Sequence, residues 1–286
     1  LKIIQADPTG FCFGVKRAID KLEEALKKYG IVYAMGSPIH NPQEISRLED
    51  LGLVVVESFN DIPTDSLVFL RAHGVDPATY EYLTANNCTI IDGTCPFVAN
   101  AQEKARSLSE EGYSVVIIGD HDHPEIRAIR GFVGGECHVI PSEADAFMFC
   151  GKGKVGVVSQ TTQDENIFAE TVGTLVRCVK EVKVYNTICK ATVERQNAIR
   201  KLARDVDAII VIGGRNSANT SRLVDIAVSR GVRTLWIEHA EEIDPAWLEG
   251  VETIGIAAGA STPDWLINEV QILLGNLQVV KGDGKL

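Results

Sequence analysis

The sequence predicts an α/β protein built from three copies of one small parallel-sheet unit, closed into a ring with pseudo-three-fold symmetry. Two observations predict it. Short apolar runs of strand length alternate with helical patterns of about ten to fifteen residues, the order that produces parallel sheets with helical crossovers. A glycine also closes an apolar run at Gly36, Gly119 and Gly213, each 24 residues after a cysteine: Cys12, Cys95 and Cys189. A spacing kept three times marks an internal repeat.

Taken in order, each unit opens on a strand ending at its glycine: "VYAMGSPIHN", "VVIIGDHDHPE" and "AIIVIGGRNSANTSRL". The second strands, "LGLVVVESFNDIP", "CHVIPSEADA" and "VRTLWIEHAEEIDP", each run into an acidic turn. The third strands, "SLVFLRAHG", "KVGVVSQTT" and "TIGIAAGAS", end in small or polar residues. Helical patterns follow, and "CTIIDGTC" and "VKVYNTIC" then bring a fourth strand up to the next cysteine. After "WLINEVQILLGNLQ" the third unit has no closing strand of its own. The N-terminal "KIIQA" precedes Cys12 as those strands precede Cys95 and Cys189, so it is expected to fill the slot. The expected boundaries are 13–95, 96–187 and 188–275, with 1–12 closing the third unit and 276–286 forming a C-terminal tail. The crossovers are expected to be right-handed.

Over 286 residues, 45% hydrophobic and 23% charged residues describe an ordinary soluble globular chain. The net charge of −11 argues against general nucleic-acid binding, which needs a basic footprint. It also requires a local cradle of donors for any anionic substrate. No apolar run is long enough to cross a bilayer, so no membrane partner is expected. The opening "LKIIQADPTGF" lacks the pattern of a signal peptide, which makes the cytoplasm the expected compartment. Seven cysteines, an odd number, argue against a disulfide framework there and for free thiols or metal ligands.

Ligands of open α/β sheets gather beyond the carboxyl ends of the strands. In a three-fold ring these ends face one centre, so Cys12, Cys95 and Cys189 are expected to converge. A structural zinc site usually draws four ligands, often as close cysteine pairs, and no CxxC occurs here. Three thiolates from three units suit a 4Fe–4S cluster better, leaving one iron without a cysteine and open for catalysis. Zinc remains the alternative on spacing alone. Cys88, Cys137 and Cys178 break the repeat and read as packing residues; Cys150 is unassigned.

Polar residues recur at the same strand ends. The first-strand loops carry His40, His123 and the segment Ser217–Asn219; the third-strand loops carry His73, Thr161–Thr162 and Ser261. Such donors, with helix-start amides, bind phosphate without an arginine clamp. Helix N-capping uses the same residues and the same amides. Glu125, two residues after His123, is the carboxylate of this set, and burial beside negative groups favours its protonated form. A zinc-deaminase reading of "HPE" fails, because "TCPFV" precedes it and lacks the second cysteine.

The segments "GFCFGVKRA", "IHNPQ", "RAHGV", "DGTCPFV", "HPE", "SQTT", "NTICKATVERQ", "NSANTSRL" and "AGASTPDW" together resemble the IspH/LytB family, the 4-hydroxy-3-methylbut-2-enyl diphosphate reductases. They run in family order from about residue 10 to 266. The resemblance implies a trefoil of three pseudo-repeated α/β domains with small parallel sheets around a central iron–sulfur site. It implies reductive removal of the hydroxyl of an allylic diphosphate, giving isopentenyl and dimethylallyl diphosphate in the non-mevalonate route. It also implies one 4Fe–4S cluster per chain on Cys12, Cys95 and Cys189, and electrons from a ferredoxin or flavodoxin. By the same resemblance His40, His73, His123, Ser217, Asn219 and Ser261 hold the diphosphate, while Glu125 and Thr161, with His123, form the proton-delivery network. Family members often carry a second serine where this chain has Ala218. There the backbone N–H remains, and the missing hydroxyl is worth roughly 1.5–3 kcal/mol as a hydrogen bond to a charged group.

Two other functions compete. A redox-neutral 4Fe–4S hydro-lyase would use the same open iron on a hydroxy acid, but carboxylate substrates call for bidentate arginines. An iron–sulfur sensor or scaffold without turnover leaves the proton donor and the anion cradle unexplained.

Overall fold

A leading strand β1 (Lys2–Gln5) and helix α1 (Phe13–Tyr29) precede three runs on one plan, the second with an extra short helix and the third without a fourth strand of its own. The first run is β2 (Val32–Met35), α2 (Pro42–Glu49), β3 (Leu53–Val56), β4 (Leu67–Leu70), α3 (Pro77–Ala85), β5 (Thr89–Asp92) and α4 (Pro96–Glu110). The second is β6 (Ser114–Ile118), α5 (Pro124–Gly131), β7 (Cys137–Ile140), α6 (Glu143–Ala146), β8 (Lys154–Ser159), α7 (Glu165–Cys178), β9 (Glu181–Val184) and α8 (Lys190–Leu202). The third is β10 (Ala208–Ile212), α9 (Ala218–Ser229), β11 (Arg233–Ile237), β12 (Thr253–Ala258) and α10 (Asp264–Gly282). This computed structural model describes residues 1–282.

Three small parallel sheets result, as the alternation of elements predicts. Their strand orders are β3-β2-β4-β5, β7-β6-β8-β9 and β11-β10-β12-β1. These are one topology written three times. β1 takes the fourth place of the third sheet, with Lys2 opposite Thr253 and Gln5 opposite Ile256. Strands β6, β8, β10 and β12 are buried almost throughout. Covered on both faces, they read as continuous runs such as "AIIVI" rather than as alternation. The fourth strands β1, β5 and β9 are exposed at both ends.

The third residue of the third strand shows how closely the repeats match. It is Gly156 in β8 and Gly255 in β12, and Leu108 of α4 and Leu202 of α8 lie directly over them. A Cβ at either glycine would stand 2.8 Å from a leucine methyl. In β4 the same place holds Phe69, 1% exposed. The missing glycine of the first repeat is filled by a ring.

The chain separates into two compact units. One comprises Leu1–Phe13, His40–Ser46 and the residues from Ala191 onward; the other comprises Gly14–Ile39 and Arg47–Lys190. In the first, two apolar clusters cover the faces of the β11-β10-β12-β1 sheet. One gathers Ile210, Ile212, Ile254 and Ile256 with Leu266 and Val270 of α10, and the other gathers Ile209 and Val211 with Ile199 of α8 and Leu223 of α9. In the second unit, β6 and β8 send Val116, Ile118 and Val157 to one cluster and Val115, Ile117 and Val158 to another. A third cluster sits on β4, around Val68, Leu70 and Leu83.

Two sequence expectations are corrected. Helix α10 continues to Gly282, so the backbone of residues 276–282 is helical and not a tail; the apolar "NLQVV" extends the pattern before it. Residues 283–286 of that expected tail lie outside the described residues. Cys150 and Cys178 form a disulfide, so Cys178 is not simply a packing thiol. The end of α7 runs beside the loop before β8, with Gly151 N–H donating to Cys178 O at 3.0 Å, which brings the two Cα atoms to 4.3 Å. Cys88 and Cys137 do pack at the edges of apolar clusters, and burial pushes the Cys137 thiol up to about 11.

Candidate functional site

The polar residues stand where parallel strands end, because that is where each chain segment turns into the next helix. In the larger unit His73 follows β4, His123 follows β6 and Thr161 follows β8. His123 caps α5, its Nδ1 accepting from Glu125 N–H at 3.2 Å. Its ring meets that of His73 edge to face, with centroids 5.3 Å apart.

Glu125 lies in the first turn of α5 and is 2% exposed. Thr161 holds both carboxylate oxygens: its N–H donates to Oε1 at 2.6 Å and its hydroxyl to Oε2 at 2.7 Å. Burial pushes this carboxyl up to about 7, against the opposing pull of the two Thr161 hydrogen bonds. Glu125 therefore exchanges a proton near neutrality, the condition for general acid work.

The same loops seat two cysteines. Cys95 N–H donates to Ala72 O at 3.0 Å, one residue before His73, and Cys189 N–H donates to Thr161 O at 2.9 Å. Thr161 thus ties the Glu125 carboxyl to the Cys189 loop. Cys95 opens α4 and Cys189 directly precedes α8. The Cys95 loop is braced by Arg17, which donates to Thr94 O at 3.1 Å, and by Asp92, which accepts from Thr94 N–H at 2.8 Å.

The smaller unit repeats the pattern with different side chains. Cys12 N–H donates to Ala260 O at 3.0 Å, one residue before Ser261. Arg195 steadies the turn ahead of it by donating to Gly10 O at 2.7 Å. The Ser261 hydroxyl donates to His40 O at 2.9 Å, and Trp265 of α10 donates to Glu44 at 3.0 Å, so the His40–Ser46 segment is docked on this unit. Ser217 caps α9 through Thr220 N–H at 3.3 Å, with Ala218 as the first helical residue. Asn219 is 4% exposed, and neither polar atom of its side chain has a hydrogen-bond partner among the described residues. A buried amide in that state is costly unless a ligand satisfies it.

The donor chemistry fits an iron–sulfur group. Cys12, Cys95 and Cys189 stay out of the disulfide, are half-buried, and are held by one repeated backbone hydrogen bond. Soft thiolates suit such clusters.

Three supporting residues were not singled out by sequence reasoning. Gln160, 1% exposed, accepts from Asp120 N–H at 2.9 Å and donates to Thr162 at 2.8 Å, bridging the His123 and Thr161 loops. Thr187 donates to Ser159 O at 2.6 Å and accepts from Ser159 N–H at 2.8 Å, tying the approach to Cys189 onto β8. Gly214 has no room for a side chain, since a Cβ would stand 2.6 Å from His40 O. The polar runs "SQTT" and "NTIC" at strand ends were the available signal for the first two; nothing local signals the third.

Comparison with known proteins places these features in context. The model of the family described as LytB protein matches residues 3–274. The 4-hydroxy-3-methylbut-2-enyl diphosphate reductase of Geobacter metallireducens is 46% identical over 270 residues, covering 94% of this chain and 95% of its own. That of Aquifex aeolicus is 45% identical over 273 residues, covering 94% of each. Among solved structures, an (E)-4-hydroxy-3-methyl-but-2-enyl diphosphate reductase described as the terminal enzyme of the non-mevalonate pathway is similar at 43% identity. Its TM-score is 0.70, with 96% of this chain and 99% of that one covered. The E-1-hydroxy-2-methyl-but-2-enyl-4-diphosphate reductase from Plasmodium falciparum is similar at 28% identity and TM-score 0.87, covering 96% of this chain and 87% of its own.

Proposed function

Because this chain belongs to the LytB protein family, we propose that it removes the hydroxyl of (E)-4-hydroxy-3-methylbut-2-enyl diphosphate by two-electron, two-proton reduction. The products are isopentenyl and dimethylallyl diphosphate, made in the non-mevalonate route to isoprenoids. The observation that carries this reading is the similarity of nearly the whole chain to reductases of that name, at 46% and 45% identity.

Cys12, Cys95 and Cys189 hold one 4Fe–4S cluster, with one iron lacking a cysteine. When bound, the cluster would relay the donor's electrons and would offer a Lewis-acidic position for the substrate hydroxyl. The donors that hold the diphosphate are His40, His73, His123, Thr161, Ser217, Asn219 and Ser261, together with the backbone N–H of Ala218. Glu125 does the proton work. Hydroxide leaves poorly, so the C–O bond breaks as a proton arrives, and a carboxyl titrating at about 7 is matched to that task. Thr161, donating to it through both N–H and hydroxyl, fixes the carboxyl's orientation.

The electrons come from a ferredoxin- or flavodoxin-type protein. The three repeats, bounded at 13–95, 96–187 and 188–275, are read as three domains, the third closed by 1–12. No helix among the described residues is long and apolar enough to cross a membrane; the cytoplasm is the proposed setting.

The cradle is tested by ligand competition. Inorganic diphosphate is expected to compete with substrate in the wild type. Asn219→Ala, His40→Ala and His73→Ala are each expected to weaken its binding by about tenfold or more, the scale of a hydrogen bond to a charged group. The cluster spectrum should be unchanged. A wild type in which diphosphate does not compete would show that these donors serve something else.

A further inference from the structure

A cavity in the larger unit belongs to none of the residues assigned above. Its volume is about 360 Å³, and its lining includes Met35, Gly36, Glu57, Arg71, Asp76 and Arg127. Three of these mark the carboxyl ends of adjacent parallel strands: Gly36 after β2, Glu57 after β3 and Arg71 after β4. The sheet order β3-β2-β4-β5 changes direction at β2, and the crevice outside such a switch point is where open α/β sheets take ligands. The volume falls in the lower part of the range of small-molecule pockets.

The lining sets two arginines beside two carboxylates, and one arginine donor in it is unsatisfied. The Arg71 Nε is buried and has no hydrogen-bond partner among the described residues. Arg127 stands on α5, exposed, close enough for its charge to act on Arg71. Burial first, and the Arg127 charge second, hold the Arg71 guanidinium below its usual range, while the opposing pull of Glu57 is the weakest of the three. Asp76 turns its oxygens to Thr79, accepting from the N–H at 3.0 Å and the hydroxyl at 3.2 Å, which spends them on the start of α3. Gly36 keeps the Arg71 fork in place: its φ is +63°, and a Cβ there would stand 2.9 Å from Nη1. Two guanidiniums lining one cavity repel each other, Glu57 offsets that repulsion least of the influences on Arg71, and the guanidinium fork matches phosphate and carboxylate geometry.

We propose that this cavity is a second anion site, in which Arg71 and Arg127 together bind a small phosphate- or carboxylate-bearing molecule. It is separate from the proposed diphosphate cradle and does not depend on it. An anion there sits on the loop of Arg71, two residues before His73, and on α5, whose first turn carries Glu125. Occupancy therefore bears on the placement of both.

The test is calorimetry on the anaerobically purified holoprotein at low ionic strength, where exposed charges are least screened. Inorganic phosphate and malonate are titrated separately into wild type, Arg127→Ala, Arg127→Lys and Asn219→Ala. At least one of the two anions should bind the wild type at a site that Arg127→Ala weakens about tenfold or more, the scale of a lost charged hydrogen bond. Arg127→Lys should recover part of that loss, and Asn219→Ala should leave this site as in wild type. A response to phosphate alone identifies a phosphorylated ligand, a response to malonate alone a carboxylate, and a response to both a general oxyanion site. Titrations of Arg127→Ala that superimpose on wild type for both anions would overturn the proposal. Failure of the cradle reading appears instead as substrate competition absent and Asn219→Ala without effect, which leaves the Arg127 comparison intact.

Discussion

Glu125→Gln is expected to lower turnover by about 10²-fold or more while substrate still binds and still perturbs the cluster spectrum. The size follows from the typical contribution of a positioned general acid, about 10²–10⁴ in rate. Glutamine keeps the shape and can still accept from Thr161, but it carries no acidic proton. None of the proposed cluster ligands or diphosphate donors is removed, so binding should survive the loss of chemistry. The pH dependence has a definite sign. Burial raises the carboxyl from 4.5 to about 7, and the proposed role requires the acid form. Wild-type turnover should therefore fall as pH rises through about 7, and the variant's residual rate should lose that limb. Stability moves with it. A carboxyl whose folded pKa is raised contributes most below 4.5 and loses that contribution as pH climbs to about 7. The difference in melting temperature should shift in the variant's favour over that window. A variant turning over within a few-fold of wild type would make Glu125 a structural residue and move proton delivery elsewhere, with His123 as the next candidate.

Serine in place of Cys12, Cys95 or Cys189 is the second large effect. Each replacement is expected to abolish or strongly reduce cluster absorbance, with iron and sulfide counts on the anaerobically purified protein falling together. The Cys88→Ser and Cys137→Ser controls should keep the wild-type spectrum, because both residues pack against apolar clusters away from strand-end loops. The backbone explains why the three act as a set. Each N–H is bonded to the carbonyl that follows the third strand of its sheet, Ala260, Ala72 or Thr161, at 2.9–3.0 Å. An iron-free protein with one bound zinc and full activity would defeat the assignment.

The parts of this molecule legible from sequence are those the repeat wrote three times. Strand order, the glycines ending β2, β6 and β10, and the polar residues after the strands all recur at matched spacing, so each copy supports the others. The donation from Gly36, Gly119 and Gly213 N–H to Val56, Ile140 and Ile237 O is that recurrence in atoms. The entry of β1 into the third sheet followed from a missing strand at one end and a spare one at the other.

What was hidden depends on contacts between segments far apart in the chain. Gln160 looks like any polar loop residue until the Asp120 and Thr162 loops close around it. Gly214 matters only because the His40 carbonyl comes to rest against it. The Cys150–Cys178 pairing needs the end of α7 to lie beside the loop before β8, which no local pattern encodes. The full length of α10 is hard to read because its apolar pattern runs directly into the polar "KGDGKL". Arg71 and Arg127 lie 56 positions apart, and it takes the β4 and α5 ends to bring them to one cavity.

Reductive removal of the hydroxyl is followed at the carbon–oxygen bond that breaks. The anaerobically purified chain is supplied with a low-potential one-electron reductant and (E)-4-hydroxy-3-methylbut-2-enyl diphosphate, and both products and electrons are counted. Isopentenyl and dimethylallyl diphosphate should form together, with two electrons consumed per hydroxyl lost and no product without reductant. Product formed without reductant, or an intact cluster that binds the substrate and leaves the hydroxyl in place under reduction, would contradict reductive removal.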